Sequence, residues 1–345
     1  MPFYLLILFM ALLKKPLVET LFVVKNYFFL WNYNKFPFVY SIMDKKGFNT
    51  LIINVQDSAD IKKQLVKLIE LEKINEVKIV HNNIFEYIYN LCYRIFYYPF
   101  KKKKEKINFY LDGFVGYYPF VLANLGVPEN VFFYEEGESI YQKNVLFNKD
   151  RSTDVKSIIN GLVKKTLNVK WNSIQDISVF YVRDKQRLKR TLEEQIGNNF
   201  KFDIVEIDVF QCLADLSKKE KEIIKDIFFN EIQNDLFDSK NKKAIVLTQP
   251  TYLYNIHTKK HLAQLFNENI DLLKKEKYDI YLKLHPNEQD DIYMVDGVKR
   301  IKGKFPFELL AIFNIKFDVG LTYNSTAINS QLIKEKIMLI NKSQT

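Results

Sequence analysis

The stretch Ile107–Tyr141, INFYLDGFVGYYPFVLANLGVPENVFFYEEGESIY, carries the fold in its rhythm. A short run rich in β-branched and aromatic residues over 107–111 predicts a strand. A helix-like segment over 114–125 follows and meets Gly126, a residue suited to a helix C-cap. A second strand is predicted over 131–134, and two adjacent carboxylates and a glycine, Glu135, Glu136 and Gly137, stand directly behind it. Strand, helix and strand in that order argue for parallel neighbours with a helix packed across them.

The same alternation extends in both directions. Upstream, strands are predicted over 20–24, 51–55 and 77–80, and helices over 59–73 and 84–98. The middle of the chain yields strands over 177–182 and 202–209 and charged helices over 185–195 and 218–229. The polar, lysine-rich DSKNKKA at 238–244 reads as a break, after which strands are expected over 244–248, 279–284 and 317–321. Between and after them lie a helix over 257–274, a helix from about Ser325 and a last strand in KIMLIN. Pro286 stops the strand before it, since proline donates nothing to a ladder. The expected fold is therefore α/β: two Rossmann-like domains facing a central cleft, the GT-B architecture, with boundaries at 1–237 and 238–345. Ligands of such sheets bind beyond the carboxyl ends of the strands.

Composition narrows the class. With 345 residues, 48% hydrophobic and 27% charged, the chain has material for two cores and is not broadly disordered. The 51 basic against 41 acidic residues give a formal charge of +10, which favours anionic partners. Cys92 and Cys212 are too few for a disulfide framework, which fits a reducing cytoplasm. His257 and His261 stand four apart, but HTKKH lacks the glutamate of a zinc-protease helix, so no metal site is expected from them, nor from His81 and His285.

Two segments raise the question of membranes. The apolar opening MPFYLLILFMALLKKP has no basic segment before it and no small-residue cleavage site, so an apolar first helix is expected. Residues 84–100 are dense in Phe and Tyr and run into KKKKEK at 101–106, a combination that suits an anionic membrane surface as well as a buried helix with a solvated lysine loop. No nucleic-acid motif accompanies these aromatics and lysines, and no nucleic-acid partner is expected.

Three constellations fall at predicted strand ends. In YEEGES, a carboxylate beside a like charge has its pKa raised and can serve as a general base towards a hydroxyl, while Gly137 permits a sharp turn; a solvated acidic turn is the plainer alternative. In KLHPNE, His285 is fixed by the following Pro286, and its imidazole is suited to a phosphate or a leaving group, or simply to finishing the strand. In TYNSTAINS, Asn324, Ser325 and Thr326 stand where a helix would begin, able to cap it and equally able to bind phosphate.

In this order, the acidic pair with glycine, the His-Pro pair and the Ser/Thr pair resemble the bacterial sialyltransferases. The pattern is similar to glycosyltransferase family 52, the lipooligosaccharide sialyltransferases, with the capsular polysialyltransferases as relatives. FFYEEGESIY, IVLTQP, YLKLHPNE, FPFELL and DVGLTYNSTAI carry the resemblance. The opening PFYLL resembles that family's N-terminal PF-x-L signature, which follows the first strand. Met1 stands immediately before it, so the first strand of the N-terminal domain is expected to be missing.

The resemblance implies an inverting, metal-independent transfer of sialic acid from CMP-sialic acid to a sugar hydroxyl of a surface glycan, with no cofactor. Glu135 would be the general base and His285 would meet the departing CMP phosphate. Ser325 and Thr326 would bind that phosphate, and Glu136, Gly137, Pro286 and Asn324 would shape the site. The implied partners are the nucleotide-sugar donor and a glycan or glycolipid acceptor, with a homodimer also expected. The implied location is the cytoplasm, peripheral to the inner face of the membrane. A polysialyltransferase, another cytidine-nucleotide capsule transferase and an inactive membrane-surface relative are the competing expectations.

Overall fold

The computed structural model describes residues 24–30, 33–54, 64–80, 106–112, 128–135, 138–141, 177–229, 236–254, 256–285, 288, 291–293, 295–303, 305–323 and 325–339. The segments expected to be helical over 84–98 and 114–125, and the lysine cluster at 101–105, lie outside them. So do Glu136, Gly137, Pro286 and Asn324, and the apolar opening.

Seven parallel strands form the first sheet: β1 (Val24–Leu30), β2 (Phe48–Asn54), β3 (Glu76–Val80), β4 (Lys106–Leu111), β5 (Asn130–Tyr134), β6 (Val179–Val182) and β7 (Asp203–Glu206), in the order β3-β2-β1-β4-β5-β6-β7. Five more form the second: β8 (Lys243–Leu247), β9 (Asp279–Lys283), β10 (Lys299–Arg300), β11 (Phe317–Thr322) and β12 (Ile333–Met338), in the order β10-β9-β8-β11-β12. Each sheet starts in its middle and grows outward in both directions. The order therefore reverses between β1 and β4 and again between β8 and β11, where open α/β sheets leave a crevice at their carboxyl ends. Two Rossmann-like sheets in one chain make the α/β, GT-B-like fold that the alternation predicts.

The expected loss of the first strand is corrected. The central place in the first sheet, paired with β2 on one side and β4 on the other, is filled by β1. Of the strand expected over 20–24 only Val24 is among the described residues, and β1 runs from it to Leu30, because the polar pair Lys25 and Asn26 does not end it. Asn26 finds side-chain partners in the sheet, and Tyr27, Phe28 and Leu30 are buried beyond it. The place after the first strand, where the resemblance expects Pro-Phe, is taken by α1 (Phe36–Ile42), with Pro37 in its first turn. Proline is well placed there, since its missing N–H would have no partner within the helix.

A row of asparagines sets the register of this sheet. Asn130 Nδ2 donates to Asn108 Oδ1 at 3.0 Å, Asn108 Nδ2 to Asn26 Oδ1 at 2.9 Å, and Asn26 Nδ2 to Asn49 Oδ1 at 2.9 Å. Asn49 Nδ2 ends the row on the carbonyls of Asp44 and Lys73. The four residues are opposite one another across β5, β4, β1 and β2. A slip of one residue would break three bonds and bury unpaired amides. Gly47 makes room for the row, since a Cβ there would sit 2.2 Å from Asn26 Nδ2.

The cores lie on both faces of both sheets. One cluster joins the halves, with Phe28, Ile53 and Tyr134 from the first sheet, Tyr281 and Phe317 from the second, and Phe305 and Phe307 from the segment between β10 and β11. Outside it, the first sheet buries Phe109, Phe133 and Phe180 with Leu188 and Leu192 of α2 (Lys185–Ile196). On the far side of the second sheet, α5 (Lys259–Lys275) lays Leu262, Phe266, Ile270 and Leu273 against Val246, Ile280 and Leu282. The spacing of those four is the apolar stripe of a one-sided helix.

Two further boundaries depart from expectation. The strand expected over 202–209 ends at Glu206, because Asp208 accepts an N–H from Gln211 and starts α3 (Val209–Ala214), which is followed by α4 (Lys218–Phe228). The helix expected from Ser325 is a single 3-10 turn, Thr326–Asn329. Ile328 and Ile333 press on Gly320 so closely that a Cβ there would meet both at 2.7 Å, and the chain enters β12 with no room for a longer helix.

Asn26→Ala, which strands Asn49 Oδ1 and Asn108 Nδ2, should lower the unfolding free energy in urea by about 1–3 kcal/mol. Asn130→Ala, at the exposed end of the row, should cost less than about 1 kcal/mol on the same measurement.

Candidate functional site

Glu135 follows β5 directly, and its N–H still donates to Tyr181 O at 3.0 Å, so the strand's pairing carries it one residue past the sheet. Its side chain is only 4% exposed. Oε2 accepts the Tyr141 hydroxyl at 2.7 Å and the Arg183 backbone N–H at 2.7 Å, while Oε1 faces Arg183 Nη1 at 3.6 Å. Tyr141 comes from the 3-10 turn Glu138–Tyr141, and the Arg187 guanidinium covers its ring at 4.5 Å. Burial, and then the neighbouring Glu135 charge, raise the Tyr141 pKa, so this phenol stays a donor to the carboxylate. Arg183 stands at the end of β6, just ahead of Asp184, which caps α2 by accepting the Arg187 N–H at 2.8 Å.

Arg183 also reaches the other half of the molecule. Its Nη2 donates to Glu308 Oε1 at 2.9 Å, and Glu308 lies in the 3-10 segment Phe307–Phe313, which packs on α3. Burial lowers the guanidinium pKa, but the charges of Glu308 and then Glu135 outweigh it and raise the value. The side chain is 37% exposed, so solvent screens part of this attraction.

On the second sheet, Lys283 ends β9 and is 5% exposed. Its Nζ lies 3.7 Å from the centroid of the Phe305 ring and has no hydrogen-bond partner. Burial pushes its pKa down to about 7, against the pull of the Glu308 carboxylate. Two residues on, the backbone N–H of His285 is shared between Thr248 Oγ1 and Glu288 Oε2, each at 3.0 Å. Glu288 is buried, takes the Thr248 and Tyr293 hydroxyls, and returns its own N–H to His285 O at 2.9 Å. This closed loop of bonds holds the turn at His285. Burial, and after it the Lys283 charge, put the imidazole pKa below its ordinary 6.5. His285 is thus a neutral hydrogen-bonding ring at neutral pH.

At the switch between β8 and β11, Thr322 Oγ1 donates to Leu247 O at 2.7 Å and accepts the Ser325 N–H at 3.1 Å. The Ser325 hydroxyl caps nothing. The Thr326 side chain is outside the described residues. His257 and His261 have ring centroids 5.2 Å apart, and His257 meets Tyr323 at 4.8 Å. Among the described residues no three His, Cys, Asp or Glu side chains are grouped to hold a metal. No described helix is long and apolar enough to cross a membrane.

Of the residues singled out in the sequence, Glu135, His285 and Ser325 are therefore at strand carboxyl ends. Glu135 is linked to the second half through Arg183 and Glu308. Sequence reasoning passed over Arg183, Tyr141, Lys283, Glu288 and Glu308, and also Asp112, a buried carboxylate directly after β4 at the first switch point. Lys283 had a readable signal: a lysine directly after the apolar run 280–282, two residues before the histidine. Arg183 and Tyr141 had none, because their roles arise from spatial pairing of distant segments.

Two Rossmann-like sheets, with a carboxylate at a strand end of one and a histidine at a strand end of the other, place the chain among proteins of GT-B-like architecture. A family model for the alpha-2,8-polysialyltransferases (POLYST) matches residues 24–328, and the chain belongs to that family. The match supports a sialyltransferase relationship and does not carry the narrower lipooligosaccharide type. No curated protein sequence matches. Similar solved structures include a putative UDP-N-acetylglucosamine 2-epimerase from Listeria monocytogenes, at 11% identity over 88% of this chain and 75% of that one, TM-score 0.45. A trehalose-6-phosphate phosphatase N-terminal domain from Candida albicans is similar at 10% identity over 89% and 78%, TM-score 0.36. An E. coli trehalose-6-phosphate protein bound with UDP-2-fluoro glucose is similar at 10% over 86% and 77%, TM-score 0.37.

In a double-mutant cycle, Arg183→Ala and Glu308→Ala should show a coupling energy of about 1–2 kcal/mol by urea denaturation, below that of a fully buried pair because of the guanidinium's exposure.

Proposed function

We propose that the protein transfers sialic acid from CMP-sialic acid to a sugar hydroxyl of a surface glycan or glycolipid, with inversion and without an essential metal. The family match favours a sialylated acceptor end, as in polysialic acid synthesis, over a lipooligosaccharide galactoside. The observation that carries this reading is the Glu135 carboxylate, buried at a strand end with its Oε2 occupied by two donors and its Oε1 met, among the described residues, by the longer Arg183 contact. An acceptor hydroxyl arriving at Oε1 gives its proton there, the new C–O bond forms at the anomeric carbon as the bond to the phosphate oxygen breaks, and CMP departs with the electron pair. His285, held neutral, donates a hydrogen bond to that phosphate rather than a full proton. Ser325, whose hydroxyl makes no cap bond, is a second donor, beside Thr326, and Glu136, Gly137, Pro286 and Asn324 complete the walls. Peripheral contact with an anionic membrane from the cytoplasmic side fits the +10 charge.

The decisive measurement is CMP release from CMP-sialic acid in the presence of sialoside and galactoside acceptors. The wild type should exceed the Glu135→Gln, His285→Ala double variant by at least about a hundredfold, the scale of general-base catalysis; equal rates would sink the assignment. CMP should also raise the melting temperature of the wild type, and Ser325→Ala with Thr326→Ala should abolish that rise. An undiminished rise would remove the phosphate role from these two residues.

A further inference from the structure

We propose that Lys283 is a further donor-binding residue, whose ammonium group meets the phosphate of the nucleotide monophosphate beside His285. The inference deepens the CMP-sialic acid reading and rests on it. A buried ammonium with no hydrogen-bond partner is among the costliest groups a core can hold, and a methionine would fill the same space without that cost. Lys283 Nζ has no hydrogen-bond partner among the described residues. What surrounds it is the Phe305 ring at 3.7 Å, the Glu308 carboxylate, already engaged by Arg183 at 2.9 Å, and the His285 imidazole, whose titration its charge depresses. The lysine ends β9 two residues before His285, so it belongs to the carboxyl-end region where a ligand of this sheet binds. An incoming phosphate would supply the anionic partner that the protein withholds. It would also draw a proton from the buffer onto an amine that rests near pKa 7.

The apo protein carries a separate signature. The folded value of about 7 lies below the ordinary 10.5, so the unfolded chain binds more protons between those values. The Lys283 contribution therefore makes the fold more stable as pH rises through that window. Lys283→Met should melt no lower than the wild type, with the gap in its favour wider at pH 7 than at pH 10. This keeps the variant folded for the binding test.

Full-length wild type and K283M are titrated calorimetrically with CMP and with cytidine at pH 8, in two buffers of different ionisation heat. K283M should bind cytidine within about twofold of the wild type and CMP at least about tenfold more weakly, the loss of one charge-assisted contact. The wild type should also take up as much as one proton more per CMP than K283M. Equal CMP affinity and equal proton uptake would overturn the proposal and leave the donor reading standing. Parallel loss of CMP and cytidine would overturn it too, as a packing defect. A wild type that binds neither would remove the donor reading and this proposal together.

Discussion

Arg183 is the point on which the two halves and the candidate base both depend. One residue supplies two different donors to Glu135: its backbone N–H to Oε2 and its guanidinium towards Oε1. The same guanidinium then crosses to Glu308 on the segment that carries the second half's contact with α3. A carboxylate buried this deeply needs compensating donors, and two of them come from a side chain and backbone that also tie the halves together. The position of Glu135 is thereby made to depend on how the second half is seated. Opening of the cleft would strip the guanidinium of one carboxylate and leave it wholly to the other.

The fold was legible because its signals are local. Apolar runs, lysine-rich breaks and a glycine after a helix recur along the chain, and parallel α/β folds are assembled from such repeating units. Where the reading slipped, a tertiary interaction had replaced a local rule. Lys25 and Asn26 look like the end of a strand until the asparagine row pairs Asn26 on both sides. Ser325 looks like a helix cap until Gly320 shows how closely Ile328 and Ile333 must approach, leaving space for one 3-10 turn. The site follows the same division. Glu135 and His285 were visible because strand ends in a parallel sheet are predictable places. The Arg183 to Glu308 link was not, since it pairs residues 125 positions apart.

The two sheets handle polar groups in opposite ways. On the first, the asparagine amides form one continuous chain from the exposed Asn130 inward to the carbonyls of Asp44 and Lys73. Such a row is useful for register and inert in chemistry. On the second, Glu288 is closed off by Thr248, Tyr293 and the His285 backbone, while Lys283, at the end of β9, has a ring face but no hydrogen-bond partner. The contrast separates structural from available polarity. A satisfied group stabilises one conformation, whereas an unsatisfied one stores a cost that only a further partner relieves.

On the proposed donor reading, the neutral state of His285 has a chemical reason. Departure of a phosphate monoester from an oxocarbenium-like centre leaves an anion that is stable near neutral pH, so a proton delivered at that moment gains little, and hydrogen bonds aimed at the developing charge gain more. A ring kept neutral by burial and by the adjacent Lys283 charge is suited to that second task. The same proximity keeps lysine and histidine from both being charged at once. On the proposed donor reading, positive charge at Lys283 is thus weakest in the empty site, where it would destabilise the fold, and strongest when the leaving group needs it.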